Sequence, residues 1–264
     1  MRLTPRCYFN ACALILSGML SACAAPNPDS GTTGEVYDPY ESTNRKVHAL
    51  NIEVDRLLFR PASKGYVSVI PEPIVDSFTN FSENLSMPSN MVDALLQGDV
   101  KTAFHALVRF TINTTVGFAG LADPATTFEI PQVDTDFGEV LHVWGFAEGP
   151  YVELPFLGPS TQRDAVGVIA DLFTSPLTFS PVRPVENIGV WAELLERMGD
   201  RGNYSDTIDS ILYESADSYA QARVIYLQNR RFELAGDDEE AYLGLYDDPY
   251  DDPYDDPYED PYAE

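Results

Sequence analysis

The sequence predicts a mainly α-helical protein. Apolar residues recur at helical spacing in several segments between residues 41 and 232, and turns rich in proline and glycine separate these segments. No stretch alternates strongly enough between apolar and polar residues to require a sheet, so short extended pieces are expected only around residues 151–154. We divide the chain into four ranges: a leader (1–22), a flexible tether (23–39), a helical domain (40–236) and an acidic tail (237–264).

The leader has the organisation of a secretory signal peptide. Two arginines precede an apolar run, residues 11–20, that is too short to remain as a membrane span. The run ends in Leu20-Ser21-Ala22-Cys23, which resembles the bacterial lipobox, whose cysteine is acylated and becomes the first residue of the mature protein. Cys23 is therefore the predicted lipid anchor; the alternative is an ordinary signal peptide with a chance cysteine. Ala24, in place of the Asp typical of inner-membrane lipoproteins, favours the outer membrane.

Cysteine usage and charge exclude several classes of protein. Cys7 and Cys12 lie in the leader, so the mature chain has no cysteine pair for a disulfide or a zinc site. Of the 42 acidic residues 13 lie in the tail, and two of the 16 basic residues lie in the leader, which leaves 29 acidic and 14 basic residues between positions 23 and 236. This excess of acid argues against binding to nucleic acid and against electrostatic adhesion to anionic lipid. No later segment has 18 uninterrupted apolar residues, so no membrane-spanning helix is expected.

The first half of the helical domain contains four predicted helices. Residues 41–59 carry an apolar stripe, and beside it runs a polar lane formed by Asn44, His48, Asn51 and Asp55. Two short helices are predicted at 71–85 and 88–96, because a proline near the first turn begins each of them. A longer helix covers 99–116 and ends at a glycine.

The second half contains shorter helices, predicted at 135–143, 160–173 and 185–198, with Ser160 as an N-cap. The last helix, 204–232, has acidic residues early and arginines late, as the helix dipole favours. The tail repeats Asp-Asp-Pro-Tyr or a close variant every four residues. Because its charge and prolines oppose helix and sheet, we expect it to be disordered, with weak calcium binding or docking on a basic partner as functional alternatives.

The sequence gives no support for catalysis. It has three histidines and many serines, but no Gly-x-Ser-x-Gly elbow, His-Glu-x-x-His pair, P-loop or dinucleotide-binding glycine pattern. His105 lies in the middle of a predicted helix, where a core or surface role explains it. We therefore expect no enzyme activity, no cofactor and no metal.

Two clusters contain residues that a plain helical bundle does not require. In the first, Arg109 and Asn113 share one face of an apolar helix and need partners if they are buried, and Gly117 and Gly120 follow them. The second cluster comprises Gly138, Trp144, Gly145, Pro150, Tyr151, Arg163 and Asp164. Within this second cluster, Arg163 and Asp164 could form an ion pair between elements. Either these residues form turns with satisfied buried polar groups, or they build a rigid frame around an amphipathic passage.

These residues also carry a resemblance to a known family. The matching motifs include Asp38-Pro39, Asn44-Arg45, Arg60-Pro61, Asn80-Phe81, Leu95-Leu96-Gln97-Gly98, Arg109-Phe110, Asn113-Thr114, Phe137-Gly138, Trp144-Gly145, Gly149-Pro150-Tyr151, Gly158-Pro159 and Arg163-Asp164. Over roughly residues 38–175, and more loosely in the final helix, the chain resembles the MlaA/VacJ lipoproteins. Family members usually have aromatic residues where this chain has His48 and Leu50, and the tail lies outside the resemblance.

The resemblance implies a ring-like helical lipoprotein embedded in the periplasmic leaflet of the outer membrane. Such proteins contact trimeric porins and surround an amphipathic channel through which mislocalised phospholipids leave the outer leaflet. The lipids then pass to a soluble periplasmic carrier and on to an inner-membrane transporter. The residues expected to border the passage are Asn44, Asn51, Asp55, Arg109 and Asn113. The alternatives are a porin-associated structural lipoprotein that transports no lipid, and an envelope lipase.

Overall fold

The computed structural model describes residues 36–174 and 188–236, and these residues confirm the predicted mainly α-helical fold. The leader, Cys23, most of the tether and the acidic tail lie outside the described residues. No helix in the described ranges is long and apolar enough to cross a membrane. The same ranges contain no group of His, Cys, Asp and Glu residues that could hold a metal ion.

The first helix is longer than the sequence predicts. Helix α1 (Glu41–Val54) passes through a π-helical segment, Asp55–Phe59, directly into α2 (Arg60–Val69). Pro61 does not end the helix, because it lies in the first turn of α2, where a missing backbone N–H is tolerated. The predicted end at residue 59 was therefore wrong, and the rod continues to Val69.

Helices α3 (Glu72–Gln97) and α4 (Val100–Thr115) form a hairpin. The prediction of two short helices in place of α3 was wrong, since Pro88 lies inside one continuous helix. Packing of α3 against α4 and against α8 (Ile188–Asn203) compensates for the backbone hydrogen bond that this proline removes. The turn to α4 uses Gly98 at φ 84° and Asp99, whose carboxylate accepts a hydrogen bond from the Thr102 N–H at 2.9 Å.

The middle of the chain contains two short helices, α5 (Pro124–Thr127) and α6 (Phe137–Val143), followed by a hairpin of β1 (Tyr151–Leu154) and β2 (Gly158–Thr161). The strands are antiparallel, with Tyr151 opposite Thr161. Ser160 lies in β2 and is not the N-cap of α7 (Gln162–Thr174). The hydroxyl of Thr161 has that role, because it accepts a hydrogen bond from the Asp164 N–H at 3.2 Å.

The last predicted helix, 204–232, is interrupted in the structure. It divides into α9 (Ser205–Asp209), a second π-helical segment, Ser210–Glu214, and α10 (Ser218–Ala235). The carboxylate of Asp217 begins α10 by accepting a hydrogen bond from the Ala220 N–H at 3.1 Å. The chain extends at Ser215, and this change separates the two helical parts.

The start of the described chain is fixed to the domain. Asp38 accepts hydrogen bonds from Asn44 Nδ2 at 2.9 Å, from Arg223 Nη1 at 2.6 Å and from the Tyr219 hydroxyl. Val36 packs on the buried side chains of Tyr151, Tyr219 and Leu227. The expected tether, 23–39, is therefore too long at its carboxyl end, because residues 36–38 already belong to the folded unit.

Candidate functional site

The distribution of polar and apolar side chains is unusual for a protein that is surrounded by water. Among the described residues, buried polar and charged side chains outnumber buried apolar ones. At the same time Phe118 is 81% exposed, Val69 77% and Phe156 72%. Scattered exposed apolar residues are common, but so many large ones indicate a surface that contacts a membrane or another protein.

The outer side of α4 is suited to contact with hydrocarbon. Phe104 and Leu107 are exposed there, together with Thr111 and Thr115. The two threonine hydroxyls donate to backbone carbonyls one turn earlier, at 2.8 and 2.6 Å. Between residues 102 and 122 the only Lys, Arg, Asp or Glu is Arg109, which points inward. The two threonine hydroxyls on this surface are therefore satisfied within the helix, and residues 102–122 present no Lys, Arg, Asp or Glu side chain to an apolar environment.

Arg109 and Asn113 share one partner. Arg109 is 2% exposed and donates to the Ile130 carbonyl at 2.7 Å and to Asp123 Oδ2 at 2.8 Å. Asn113 Nδ2 donates to Asp123 Oδ1 at 2.8 Å, while its oxygen accepts from the Ala125 N–H at 3.0 Å. Burial acts to raise the pKa of Asp123, but hydrogen bonds from Thr126 and Asn113 outweigh it and lower that pKa. This Arg109 cluster holds the loop after α4 in a fixed conformation.

The loop itself, residues 116–121, is tightly constrained. A Cβ atom at Gly117 would lie 2.3 Å from the Ala122 carbonyl oxygen, and one at Gly120 would lie 2.6 Å from Asn84 Nδ2. Gly120 has φ 93°, and Phe118 also has a positive φ of 53°. A non-glycine residue adopts this conformation only where its surroundings enforce it. The result is the presentation of Phe118 at the surface.

The polar lane of α1 holds the β-hairpin. Asn44 Nδ2 donates to the Tyr151 carbonyl at 3.1 Å, and its oxygen accepts from the Glu153 N–H at 3.1 Å. Asn51 forms the same kind of pair nearer the hairpin tip: Nδ2 donates to the Leu154 carbonyl at 3.0 Å and Oδ1 accepts from the Phe156 N–H at 2.8 Å. The amides therefore fix a tip at which Phe156 is exposed.

Asp55 belongs to a separate network of charges. Arg201, which is 5% exposed, binds both oxygens of Asp55 at 2.9 and 2.8 Å and also binds Asp209 at 2.7 Å. Arg60 and Lys64 bind the same Asp209 at 2.6 and 3.0 Å. The Arg60 guanidinium, together with Arg201 and Lys64, holds the pKa of Asp209 well below its usual range. This Asp55 network joins α2, α8 and α9 beside the exposed π-helical residues 57 and 58.

The second predicted cluster connects α6, α7 and α10. Asp164 accepts hydrogen bonds from Arg163 Nε at 3.1 Å and from the Tyr226 hydroxyl at 2.8 Å, and Arg230 approaches it to 3.4 Å. A Cβ at Gly138 would lie 2.7 Å from Asp164 Oδ1, so a larger residue there would have to displace that carboxylate. The remaining members shape the surrounding turns. Pro150 is buried, and its carbonyl accepts a hydrogen bond from the Gln162 N–H at 2.9 Å. Gly145 has φ 86°. Trp144 is half exposed, and its Nε1 donates to the Leu96 carbonyl at 3.0 Å.

Sequence reasoning missed one further arrangement. His48 Nδ1 lies 3.0 Å from Glu153 Oε1, and His48 Nε2 lies 3.2 Å from the hydroxyl oxygen of Ser218. The Tyr151 hydroxyl donates to the other Glu153 oxygen. A serine, a histidine and a carboxylate in this order resemble a nucleophile with its base and orienting group. His48 and Glu153 are each 5% exposed, so the same contacts also serve to join α1, β1 and α10.

The structure thus separates residues that the sequence placed together. Asn44 and Asn51 meet the hairpin, Asp55 meets Arg201, and Arg109 and Asn113 meet Asp123. Their essential partners include residues that were not predicted as site residues: Asp38, Asp123, Glu153, Arg201 and Tyr219. The signals that could have drawn attention to some of them are the family resemblance, which includes Asp38, and the charge of Asp123 and Arg201 next to apolar helices.

Comparison with known proteins identifies the family. A family model described as MlaA lipoprotein matches residues 36–233. The chain belongs to the MlaA lipoprotein family. The intermembrane phospholipid transport system lipoprotein MlaA of Escherichia coli (strain K12) is 33% identical over 222 residues, which are 83% of this chain and 85% of that protein. The corresponding MlaA of Haemophilus influenzae is 29% identical over 228 residues, or 83% and 90% of the two chains.

A solved structure supports the same family assignment. A chain from work on the structural basis for maintenance of bacterial outer membrane lipid asymmetry has a TM-score of 0.62 and 30% identity. The match covers 75% of this chain and 98% of the solved one. An uncharacterised protein of Rickettsia prowazekii is also 33% identical over 190 residues, 72% of this chain and 74% of that protein. The resemblance to MlaA found in the sequence is therefore confirmed.

Proposed function

We propose that this MlaA-family protein is a lipid-anchored outer-membrane protein that removes mislocalised phospholipids from the outer leaflet and passes them to a periplasmic carrier. The names of its relatives support a role in phospholipid transport. The observation that carries the proposal is the pairing of an exposed apolar surface with buried, hydrogen-bonded polar clusters. Water selects the opposite arrangement, whereas a protein in one leaflet of a membrane needs this one.

Within this proposal the apolar surface lies in the hydrocarbon of the periplasmic leaflet. The acyl chains on Cys23 add to the membrane affinity, and part of the apolar surface contacts a trimeric porin. Phospholipid moves along an amphipathic passage, where polar groups lower the cost of taking a headgroup through an apolar region. Export of a lipid therefore requires walls that keep their shape while the lipid moves.

The five predicted passage residues fit this requirement in a particular way. All of them hydrogen-bond within the protein, and three are almost fully buried: Asn44 is 4% exposed, Arg109 2% and Asn113 5%. We therefore assign them to the support of the passage wall: Asn51 fixes the tip that bears Phe156, and Arg109 and Asn113 fix the loop that bears Phe118. The apolar side chains would contact lipid, and the polar ones would keep them in position.

The experiment that tests the function is deletion of the gene, followed by measurement of phospholipid on intact cells that is accessible to an added phospholipase. We expect a rise that the wild-type gene reverses and that Cys23→Ala does not. A matched control is Cys7→Ala, which changes a leader cysteine outside the lipobox and should restore asymmetry fully. An unchanged or lowered accessibility after deletion would contradict removal of lipid from the outer leaflet.

A scaffold that contacts porin and binds no lipid is the first alternative. Stoichiometric phospholipid in the purified protein would count against it. The Ser218–His48 contact is the one observation that favours an envelope lipase, at a distance of 3.2 Å. A lipase requires Ser218→Ala to abolish hydrolysis of phospholipid in detergent, whereas the transport proposal predicts that the wild-type protein shows no such hydrolysis.

A further inference from the structure

A mostly apolar cleft of about 450 Å³ lies where α6 ends, α7 begins and α10 ends. Phe146, Ala147 and Leu234 form apolar walls, and we call it the Phe146 cleft. Phe146 is 51% exposed, so one aromatic wall is uncovered. The space suits a few side chains, whereas a stable contact between folded proteins covers about 800 Å² of each partner. A short peptide is therefore the kind of occupant that fits.

Two accessible hydrogen-bond donors lie at the rim of the Phe146 cleft. Arg231, whose side chain is 41% exposed, binds Glu148 through Nε and Nη2 at 3.0 and 2.9 Å, and its Nη1 has no partner among the described residues. His142 is exposed, and its Nδ1 lies 3.3 Å from Arg163 Nη1. Because a guanidinium can only donate, Nδ1 accepts and the ring proton is on Nε2, which has no partner within the described ranges. Burial and the charge of Arg163 lower the pKa of His142, which favours this neutral ring.

The chain itself contains a short apolar segment just after α10. Residues 237–240 are all acidic, and residues 247–262 form the repeats, but the six residues between them read Ala-Tyr-Leu-Gly-Leu-Tyr. This segment, 241–246, has no charge and no proline, and four of its six side chains are leucine or tyrosine. Water disfavours exposure of such side chains, so the segment gains from an apolar contact. The family match ends at residue 233, so this segment lies beyond the part of the chain that relatives share.

The end of α10 brings this segment within reach of the Phe146 cleft. Leu234 and Ala235 line the cleft, and Gly236 ends the helix with φ 57°. Ala241 follows Gly236 by five residues, and since each residue spans at most about 3.6 Å, the segment begins within about 18 Å of the cleft wall. So short a connection keeps the effective concentration of the segment at the cleft in roughly the millimolar range. A separate molecule of similar affinity would have to reach that concentration to compete.

We propose that residues 241–246 bind in the Phe146 cleft of the same chain. Their leucine and tyrosine side chains lie against Phe146 and Leu234, and their backbone carbonyls accept hydrogen bonds from Arg231 Nη1 and His142 Nε2. The acidic residues on either side stay in water, and the Asp-Asp-Pro-Tyr repeats begin at the rim of the cleft. The inference does not depend on lipid transport. It restricts the expected disorder of the tail to the residues after 246 and closes the cleft to other molecules.

Limited digestion of the purified full-length protein with chymotrypsin, which cuts after tyrosine and leucine, tests the contact. Each rate is compared with that of the same bond in a synthetic peptide of residues 237–264. We expect the bonds after residues 242–246 to be cut about tenfold more slowly in the protein than in the peptide, and the bond after Tyr250 to be cut equally fast in both. Phe146→Ser and Leu243→Ser should each remove this protection. Phe128→Ser is the matched control, because Phe128 is 61% exposed and does not line the cleft.

A disulfide cross-link locates the contact. The mature chain is predicted to have no free thiol, so introduced cysteines meet no competing one. The protein carrying Ala147→Cys and Leu243→Cys should form an internal disulfide about tenfold faster than the protein carrying Ala147→Cys and Tyr258→Cys. Ala147 lines the cleft, whereas Tyr258 lies in the repeats.

Three results would overturn the proposal. Cleavage of the bonds after residues 242–246 at the rate of the free peptide would leave the cleft to another occupant, such as a partner protein or an acyl chain. Protection that persists in both serine variants would mean that the segment binds elsewhere. Cross-linking in a mixture of the two single-cysteine proteins, as fast as in the double variant, would assign the cleft to the tail of a second copy. If Phe146→Ser fails to fold, Leu243→Ser decides the question, because Leu243 lies outside the helical domain.

Discussion

A buried carboxyl group gives the protein an unusual dependence of stability on pH. Asp93, on α3, is 1% exposed, and its Oδ1 has no hydrogen-bond partner within the described residues. Burial raises the pKa of Asp93 to about 7, and the nearby carboxylates of Asp171, Asp136 and Glu139 act in the same direction. In the unfolded chain the group titrates at its ordinary value of 3.8. Between pH 3.8 and about 7 the folded protein therefore keeps a proton that the unfolded chain has already released.

The sign and size of the effect follow from this difference. The stabilisation relative to high pH is fully present below pH 3.8 and is lost as the pH rises through about 7. A shift of about three pKa units corresponds to roughly 4 kcal/mol as an upper limit. Asp93→Asn replaces the carboxyl group with a neutral amide of the same shape. Its free energy of unfolding should exceed that of the wild type by up to about 4 kcal/mol at pH 8.5, and the difference should vanish near pH 4.

Urea unfolding of the detergent-solubilised protein, followed by circular dichroism between pH 4 and 8.5, measures this difference. Asp99→Ala provides a control of opposite sign, because hydrogen bonds from Thr102 lower the pKa of Asp99 and that stabilisation is present above its ordinary pKa. This cap variant should lose about 1 kcal/mol at high pH and less as the pH falls. If Asp93→Asn is no more stable than the wild type at pH 8.5, burial does not raise the pKa of Asp93 and the reasoning is wrong.

Further predictions concern the loop, the polar lane and Ser218. Gly117→Ala should destabilise the protein by more than about 2 kcal/mol, because the added methyl group would meet two backbone oxygens at 2.3 and 2.5 Å. Gly65→Ala is the matched control: no atom lies within 4 Å of its added methyl group, so it should raise the melting temperature slightly. Asn51→Leu should cost about 1 kcal/mol, since one part-buried and one exposed backbone group of the hairpin lose their partner. Asp55→Ala should cost more, because the buried Arg201 is left with one carboxylate in place of two. If both variants accumulate normally and leave lipid asymmetry unchanged, the assignment of these residues to the passage wall is wrong. Ser218→Ala should restore phospholipase resistance to deletion cells as well as the wild-type gene does, and failure to do so at a normal protein level would favour the lipase.

The sequence predicted the helices well where the local pattern and the tertiary packing agree. Helix α4 has an acidic N-cap, a regular apolar repeat and a glycine after its end, and it lies where it was expected. The proline in α3 misled the prediction, because a local signal for a helix start was overridden by packing on both sides of the helix. The break before α10 was missed for the opposite reason: the apolar repeat continues through residues 210–217, although the backbone does not.

The sequence indicates that certain polar residues need partners, but it does not identify those partners. That Arg109 and Asn113 need partners follows from their position in an apolar helix, but nothing local identifies Asp123 as the shared partner. Asn44 and Asn51 lie on one side of α1, as their spacing requires, yet their partners are backbone groups more than 100 positions along the chain, at separations of 107 and 103 residues. Contacts at such separations depend on the whole fold and leave no trace in local periodicity.

The π-helical segment between α1 and α2 has a consequence for how one straight helix can serve two neighbours. Each added residue turns a helix by about 100°. In an uninterrupted α-helix the side chains of Ser63 and Asn44 would therefore point in directions about 100° apart. The wide π-helical turn contains one extra residue, and this residue brings the two side chains to the same side of the helix. Asn44 is 4% exposed and lies against the hairpin. Ser63 is 0% exposed and lies beside α8, where a Cβ on Gly202 would be 2.9 Å from the carbonyl oxygen of Ser63. Removing a single residue from 55–59 would leave every helix propensity intact and would rotate half of the rod away from its partner.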